Sequence, residues 1–470
     1  MKKLIFISLI ANLLFLLSSA DEITLKEYFE LVKKNNPNYK KATLSKKIFQ
    51  ASQNKFLGKK NFRIFNHARY YKHELATGFP TEPNKVDGYS ITTGIDKRFW
   101  QTGGTFTALI TNSKINAEAV LYNSRFTKNG ISLSYSQPLL KNFGGKLSKL
   151  PYKLAGYHVK IKAIEEFENK EELLINFGQE FVICALLFQK LTIMNKRHSF
   201  AISQSKQLKK KLDQNMVEKV DLLRAQSLEK LIEQQKMMIE SEFISSRIKV
   251  SIIAGSKKIL NQNIVYDFSK SIELPNIQTV IYKIKNTSRL IKMVDILMKQ
   301  YYLKLSGTKN KGKPKLDINI NAQFEDGSEK FNDSTSLDKP SYSAGITFSH
   351  PIGNTTNKQE LLKVRLELER IKLEKRNIEQ LLESNTRTLI SKIKFSKKIA
   401  DLGNERILIN TNKTIEEMKS YNTGKTQFST LIQSQDEEQE AKFSYLENAA
   451  KYHGLLLHFY ALTDKLVPSN

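Results

Sequence analysis

The chain has 470 residues, with 75 Lys+Arg against 47 Asp+Glu for a formal net charge of +28, and 40% of its residues are hydrophobic. That apolar share excludes a wholly disordered chain, and one cysteine, Cys184, excludes a disulfide framework or a cysteine-based zinc cluster. No proline lies between Pro151 and Pro275 or between Pro351 and Pro468, so two stretches of more than a hundred residues lack the main helix breaker, and long helices are expected rather than a series of small mixed domains.

Lys2 and Lys3 precede an apolar run from Leu4 to Leu17 and then Ser18-Ser19-Ala20. This is the pattern of a cleaved signal peptide over residues 1–20, with the mature chain starting at Asp21. The apolar run is too short to span a bilayer as a helix, and no cysteine follows it to carry a lipid. Further on, the best apolar run is only Phe181 to Phe188. An exported chain of this kind that crosses a membrane must do so as a closed barrel, because only helices and closed barrels satisfy their backbone in lipid.

A helix with Asn36-Pro37 inside it is expected over Leu25 to Lys46. A strand follows over 61–73, where Phe62, Ile64, Ala68 and Tyr70 alternate with Arg63, His67 and Arg69. Tyr89–Phe99 and Thr105–Asn112 read as a hairpin turning at Gln101-Thr102-Gly103-Gly104 beside the sole tryptophan, Trp100; the pattern leaves open whether it enlarges a barrel or folds outside one. In the strand over 130–138, Ile131, Leu133 and Tyr135 alternate with Ser132, Ser134 and Ser136. A long helix over 151–214, a turn at Asn215 and a shorter helix over 217–257 come next, then a linker over 259–279 and a helix over 280–305. In the strand over 315–325, Leu316, Ile318, Ile320, Ala322 and Phe324 alternate with Asp317, Asn319, Asn321 and Gln323. A strand over 341–350 alternates likewise. The second long helix, 355–421, carries Leu361, Val364, Leu368, Ile371, Lys375, Ile378, Leu382, Asn385 and Leu389 at heptad spacing. Leu362, Leu366, Leu373, Leu381 and Ile390 add a second stripe, so this helix is gripped on two sides. After Gly424 a helix over 427–462 leads to the tail, 465–470.

Period two with one polar face means a half-buried strand, and about 9–11 residues is what a tilted barrel strand needs to cross the hydrocarbon. A soluble antiparallel sheet wet on one face has the same pattern. Export, the lack of disulfides and the aromatic strand ends Tyr70, Tyr71, Tyr135 and Phe348 favour the membrane.

The order of elements is written twice. Tyr135-Ser136-Gln137-Pro138-Leu139 matches Phe348-Ser349-His350-Pro351-Ile352, and the run from Asn215 to Gln226 matches the run from Gly424 to Gln435. Residues 21–258 and 280–464 thus form two structural repeats, with Asn215 and Gly424 where a helix must reverse.

The Asn35-Asn36-Pro37 helix start, the Ser-Gln-Pro and Ser-His-Pro strand exits, the Tyr421-x-x-Gly424 turn and the Leu222-Leu223-x-Ala225 and Leu431-Ile432-x-Ser434 runs resemble the TolC family of outer-membrane efflux channels over essentially the whole mature chain. The resemblance implies a mixed α and β membrane protein: a homotrimer with a long periplasmic α-helical barrel of coiled-coil helices, continuous with a 12-stranded outer-membrane β-barrel built from four strands per protomer. It also implies a passive exit duct of a tripartite efflux or type I secretion system, in which a periplasmic membrane-fusion adaptor and an inner-membrane pump of RND or ABC type are the partners. Asn215 and Gly424 would be the adaptor-docking tips. An exported coiled-coil scaffold or adhesin without channel activity is the alternative.

In the family the periplasmic gate is closed by inward carboxylates six and nine residues after the turn glycine. Here those positions hold Thr430 and Gln433, both neutral, and the basic residue expected two after the glycine is replaced by Thr426. The matching places of the first repeat hold Asp221 and Arg224, spaced to pair on one helix face. Tyr421 matches a gate tyrosine whose expected partner is Asp221, while Glu437 offers an acidic ring deeper in the lumen.

No enzyme chemistry is legible. His67, His73, His158, His198, His350, His453 and His458 show no metal-ligand spacing, and neither a GxGxxG after a strand nor a P-loop is present. No cofactor or metal is expected. The basic charge is spread along the whole chain rather than gathered into a footprint, and export separates it from nucleic acid.

Overall fold

The structure, a computed structural model, describes residues 22–76 and 78–467; the expected signal peptide and the last three residues of the tail lie outside the described residues. The chain divides into two compact units, one comprising Met1–Ser45, Ala163–Lys292 and Asn377–Asn470, the other Lys46–Lys162 and Met293–Arg376.

The first unit is helical. β1 (Glu22–Ile23) pairs in parallel with β6 (Asn263–Ile264). Thr24 then opens α1 (Leu25–Asn35) with a capping box: its hydroxyl accepts from Glu27 N–H, and the Glu27 carboxylate accepts from Thr24 N–H at 2.9 Å. Asn36 ends α1 and starts α2 (Pro37–Asn54), its Oδ1 accepting from the backbone of Asn38 and Tyr39, with Pro37 at the first helical position where no donor is lost. The amides of Asn35 and Asn36 donate to Ala254 O and Ile253 O, closing the last carbonyls of α4 (Lys219–Ala254).

Two helices of 68 residues, α3 (Lys146–Asp213) and α7 (Thr355–Asn422), precede α4 and α8 (Phe428–Leu462) respectively. Asn215, Gly255, Gly424 and Asp464, just past the ends of α3, α4, α7 and α8, all take positive φ. At each, two backbone bonds reach back three and five residues, as in Met216 N–H to Lys211 O and Lys425 N–H to Ser420 O, both 2.9 Å. This is the Schellman arrangement that satisfies the last carbonyls of a helix.

Within α3 the apolar residues Leu174, Phe181, Val182, Cys184 and Ala185 are buried with Tyr28, Val32 and Val250 in one cluster. This helix also holds a stretch apolar enough by composition to cross a membrane, of which 33% is buried within the chain. Burial pushes the Cys184 thiol up to about 11, as suits an inert small hydrophobe.

The expected single helix over 280–305 is two, α5 (Ile277–Thr287) and α6 (Arg289–Lys311), because Ser288 turns extended and its hydroxyl accepts from Leu290 N–H. Arg289 follows this break and is 5% exposed. Its guanidinium pairs with Glu171, with Glu168 at 3.0 Å and with Asp464 at 2.8 Å, and Glu171 also accepts from Val467 N–H.

The second unit carries one antiparallel sheet in the order β2-β3-β4-β5-β7-β8: β2 (Arg63–Glu74), β3 (Pro83–Arg98), β4 (Thr105–Ala119), β5 (Asn123–Pro138), β7 (Lys315–Ser328) and β8 (Lys339–Ser349). The sheet of this chain therefore has six strands where the resemblance implied four. The hairpin that the sequence left unplaced lies inside the sheet, between β2 and β5, and its strands are longer than 89–112 suggested. β5 likewise begins at Asn123 rather than near residue 130. The first long helix starts at Lys146, before Pro151, because Asn142 caps it: Asn142 Oδ1 accepts from Leu147 N–H and Ser148 N–H at 2.9 and 3.0 Å.

The heptad seam of α7 is buried at Val364, Leu368, Ile371 and Leu382, then steps by one residue. Asn385 is exposed, while Thr386, Ile390 and Ile393 are buried. A straight α-helix drifts against a strict heptad by about 20° per repeat, which accounts for the step.

Arg289→Met should leave Glu171 buried without its cation and cost about 3–5 kcal/mol, read as a lower midpoint of thermal unfolding by circular dichroism. Burial raises the carboxyl pKa values of Glu168 and Glu171 above the ordinary 4.5. Their contribution to stability is thus fully present below pH 4.5 and is lost as pH rises through the raised values; Glu171→Gln should flatten that dependence.

Candidate functional site

Two regions carry the residues singled out by sequence: the helix reversals in the first unit and the two faces of the sheet in the second.

At the reversals, Leu208, Ala225, Phe428 and Leu431 are buried together, with Tyr421, Leu222 and Met418 packed against them. The Tyr421 ring lies 5.5 Å from that of Phe428, and Lys211 Nζ sits 5.3 Å from its centroid. Burial, and secondarily the charge of Asp221, push the Tyr421 hydroxyl up. No Tyr421–Asp221 hydrogen bond forms, however, so the expected gate bond is absent in this chain's conformation; Asp221 instead accepts from Arg224 Nη1 at 3.3 Å. That pairing across one helical turn is the one the spacing predicted.

Thr430, Gln433 and Glu437 share one face of α8, the first two exposed. Glu437 is not a free acid. Lys413 Nζ lies 2.8 Å from its Oε2, and Gln433 Nε2 donates to Oε1 at 3.1 Å. The Lys413 bond is the first cause of a lowered Glu437 pKa, so the carboxylate stays ionised but paired. Lys413 belongs to α7 and nothing in its local sequence marks it. At the tips, Gly424 holds φ at 73° with nothing within 4 Å of where a Cβ would stand, and Asn215 holds φ at 55°. Strain, not crowding, therefore selects glycine at the second tip.

On the sheet, the cross-strand register sorts side chains into two faces. One carries Ile64, Ala68 and Tyr70 of β2, Tyr89, Ile91 and Ile95 of β3, Phe106, Ala108 and Ile110 of β4, and Ile131, Leu133 and Tyr135 of β5. It continues with Leu316, Ile318, Ile320, Ala322 and Phe324 of β7 and Tyr342, Ala344, Ile346 and Phe348 of β8. Ile64 is 75% exposed, Ile110 61% and Ile346 72%, so this apolar band faces outward in the single chain. The other face carries mainly Ser, Thr, Asn, Gln and Gly, including Ser132, Ser134, Asn319, Asn321 and Gln323. The alternation read from β7 thus extends to all six strands, and the hairpin's apolar residues, which sequence reading passed over, continue the band.

No protein-family model and no curated protein sequence matches the chain. Solved structures do. The chain is similar to CusC, described for its transmembrane channel formation (TM-score 0.69, 10% identity, 93% of this chain and 91% of that one). It is similar to the CmeC outer membrane channel of Campylobacter jejuni (TM-score 0.64, 13% identity, 95% and 87%) and to the open state of the MtrE outer membrane channel of Neisseria gonorrhoeae (TM-score 0.65, 11% identity, 95% and 90%). The chain has the fold of these outer-membrane channels, in line with its resemblance to the TolC family.

Gly424→Val should cost about 1–2 kcal/mol locally through its positive φ. If the tip docks a partner, this variant should abolish export while the protein still reaches the outer membrane at normal level; unimpaired export would remove the tip from the docking surface.

Proposed function

We propose that this protein is the passive outer-membrane exit duct of a tripartite export machine. It assembles as a homotrimer of two-repeat chains, with its sheet closed into a barrel in the outer membrane and its long helices forming a periplasmic tunnel. The observation that carries this reading is the exposed apolar band on one face of the whole sheet, backed by a face of small polar residues. Tyr70, Tyr89, Phe324 and Tyr342 stand at one margin of the band and Phe106, Tyr135 and Phe348 at the other, the arrangement of a barrel with aromatic girdles at both interfaces and a wet lumen. A soluble sheet has no reason to expose such a band. The exposed stripe Leu362, Leu366, Leu373 and Leu381 on α7 supports helix packing between copies. A periplasmic adaptor at the tips and an energised inner-membrane pump follow from the resemblance, as does export of drugs or proteins without chemistry on the cargo.

The gate is weakly charged in this reading. Thr430 and Gln433 replace two carboxylates, and the acids that remain, Asp221 and Glu437, are each paired within the chain. Three-fold repetition then multiplies near-neutral sites, whereas unpaired acids would have made a strong ring for divalent cations. Reconstituted channels should show weak cation selectivity and little block by millimolar magnesium or cobalt hexammine from the periplasmic side. Tight block abolished by Glu437→Gln would place the ring at Glu437; tight block that persists would overturn this account of the gate.

The wall gives a sharper test. Ile320→Arg, on the apolar face near mid-band, should destabilise the barrel by about 2–4 kcal/mol and lower its outer-membrane yield. Asn321→Arg, one residue on, should insert normally and change conductance. Equal tolerance at both sites, with no conductance from the parent protein in planar bilayers, would favour the scaffold instead.

A further inference from the structure

We infer that the β3–β4 hairpin is part of the membrane wall, so that three copies of the chain close a barrel of eighteen strands rather than twelve. The inference rests on the channel reading above and commits the free β8 edge to one occupant, β2 of a second copy. Three features of the sheet support it, and a closing register between copies, taken third below, is compatible with it.

The first is continuity. The rung Ile64–Ile95–Ala108–Leu133–Ala322–Tyr342 crosses all six strands through directly paired residues, every one of them apolar and on one face. A hairpin folded away from the wall would need no such face, and it would not hold β2 apart from β5.

The second is parity. A hairpin adds two strands, so β2 and β8 at the open edges still run antiparallel and can pair between copies.

The third is register. Setting Tyr70 of one copy opposite Tyr342 of the next brings Ala68 to Ala344 and Ile64 to Phe348. On the polar side it brings Arg69 to Ser343 and His67 to Gly345, a glycine with nothing within 4 Å of its Cβ position. The rung above makes Ile64 level with Tyr342, and Tyr70 lies six residues beyond Ile64. Closing the edge therefore takes a six-residue stagger over six strands, one residue per strand. With a rise of about 3.3 Å and a strand spacing of about 4.8 Å, the strands tilt by about 35° to the barrel axis, within the range of closed barrels.

The fourth is clearance. The two bulky rings on the polar face of β2 lie against cross-strand glycines of the hairpin: Phe65 pairs with Gly94 and Tyr71 with Gly88. A Cβ at Gly94 would stand 2.3 Å from Phe65 Cζ, and one at Gly88 2.2 Å from Lys114 O and 3.0 Å from the Tyr71 hydroxyl. The glycines let the rings lie along the wall, and Ser90, Thr92, Thr107, Thr111 and Ser113 line the same face, interrupted by Leu109 opposite Gly94.

Eighteen tilted strands give a wall about 34 Å across between backbones, against about 22 Å for twelve. The outer mouth is thus half again as wide, in the size class of barrels that hold an open aqueous channel. It would pass bulky or partly folded polymer cargo that a twelve-stranded mouth would restrict.

The test labels single cysteines in outer membranes of cells making the full chain, using a membrane-impermeant maleimide; the native Cys184 is buried. Ile320→Cys and Ile110→Cys should both resist labelling until detergent is added, while Thr111→Cys should react. If Ile110→Cys reacts as readily as Thr111→Cys while Ile320→Cys stays protected, the hairpin lies outside the wall; the inference is then wrong and the channel stands. If Ile320→Cys reacts as well, the channel reading itself falls and the inference with it. Electron microscopy of the unsubstituted protein in lipid nanodiscs provides a count that needs no variant: eighteen strands are expected, and twelve would overturn the inference.

Discussion

A sheet edge cannot stay open in lipid. Each unpaired backbone N–H or C=O in hydrocarbon costs several kcal/mol, and β2 and β8 each present an unpaired row along their outer sides. In the proposed channel, much of the second unit's sequence answers to this constraint. There the two faces have to be sorted by a strict alternation, because a one-residue slip would send every lipid-facing side chain into the lumen. An insertion keeps the antiparallel seam between copies only as a whole hairpin, since a single extra strand would set the edges parallel. The β3–β4 hairpin meets both conditions, with an unbroken register from Pro83–Ala119 through to Glu325–Lys339 apart from one irregularity at Pro83.

The helical unit obeys a related rule at its ends. Four helices, each of 35 residues or more, leave orphan carbonyls that must be satisfied where the chain reverses. All four use the same solution, a left-handed residue and two bonds back into the last turn. The left-handed residue is Gly at two ends, Asn at one and Asp at one, in differing surroundings. Gly424 stands free of neighbours, whereas a Cβ at Gly255 would stand 2.8 Å from that of Asn35. Asn215 and Asp464 bear the strain with short polar side chains, and Asp464 is in addition one of the three acids around Arg289. One residue there closes a helix and secures the following segment to α3.

What was legible in the sequence was what is local. The alternation in β7 and β8, the reversals at Asn215 and Gly424 and the pairing of Asp221 with Arg224 each depend on residues within one turn or one strand. The strand count was not legible, because the hairpin's polar face is rich in Thr, Ser and Gly and its apolar face is interrupted by Thr93 and Asn112. Only the register with β2 and β5 shows which residues share a face. The pairing of Glu437 was hidden for the same reason, its partner Lys413 lying on the preceding helix. The burial of Arg289 needed three acids from two distant segments. The shift of the α7 seam at Asn385 escaped because a heptad drawn on paper does not drift, whereas a straight helix does.

The exposed surfaces of the single chain add one more step. Ile64, Ile110 and Ile346 on the sheet, Leu366 and Leu373 on α7, and Met237 and Ile252 on α4 are large apolar side chains at least 60% exposed. Leu366 and Leu373 sit opposite a buried seam on the same helix, so they cannot be relieved by rearrangement within the chain without uncovering that seam. A one-residue shift of register would not relieve the sheet band, because it would only exchange it for a mainly polar face. The sheet and α7 thus face outward with apolar surfaces that burial would stabilise by about 25 cal/mol per Å². In the proposed channel the folding free energy of a protomer is tied to copy number and to lipid, so a mutation at an edge strand should be felt first in assembly and only afterwards in the fold of the chain itself.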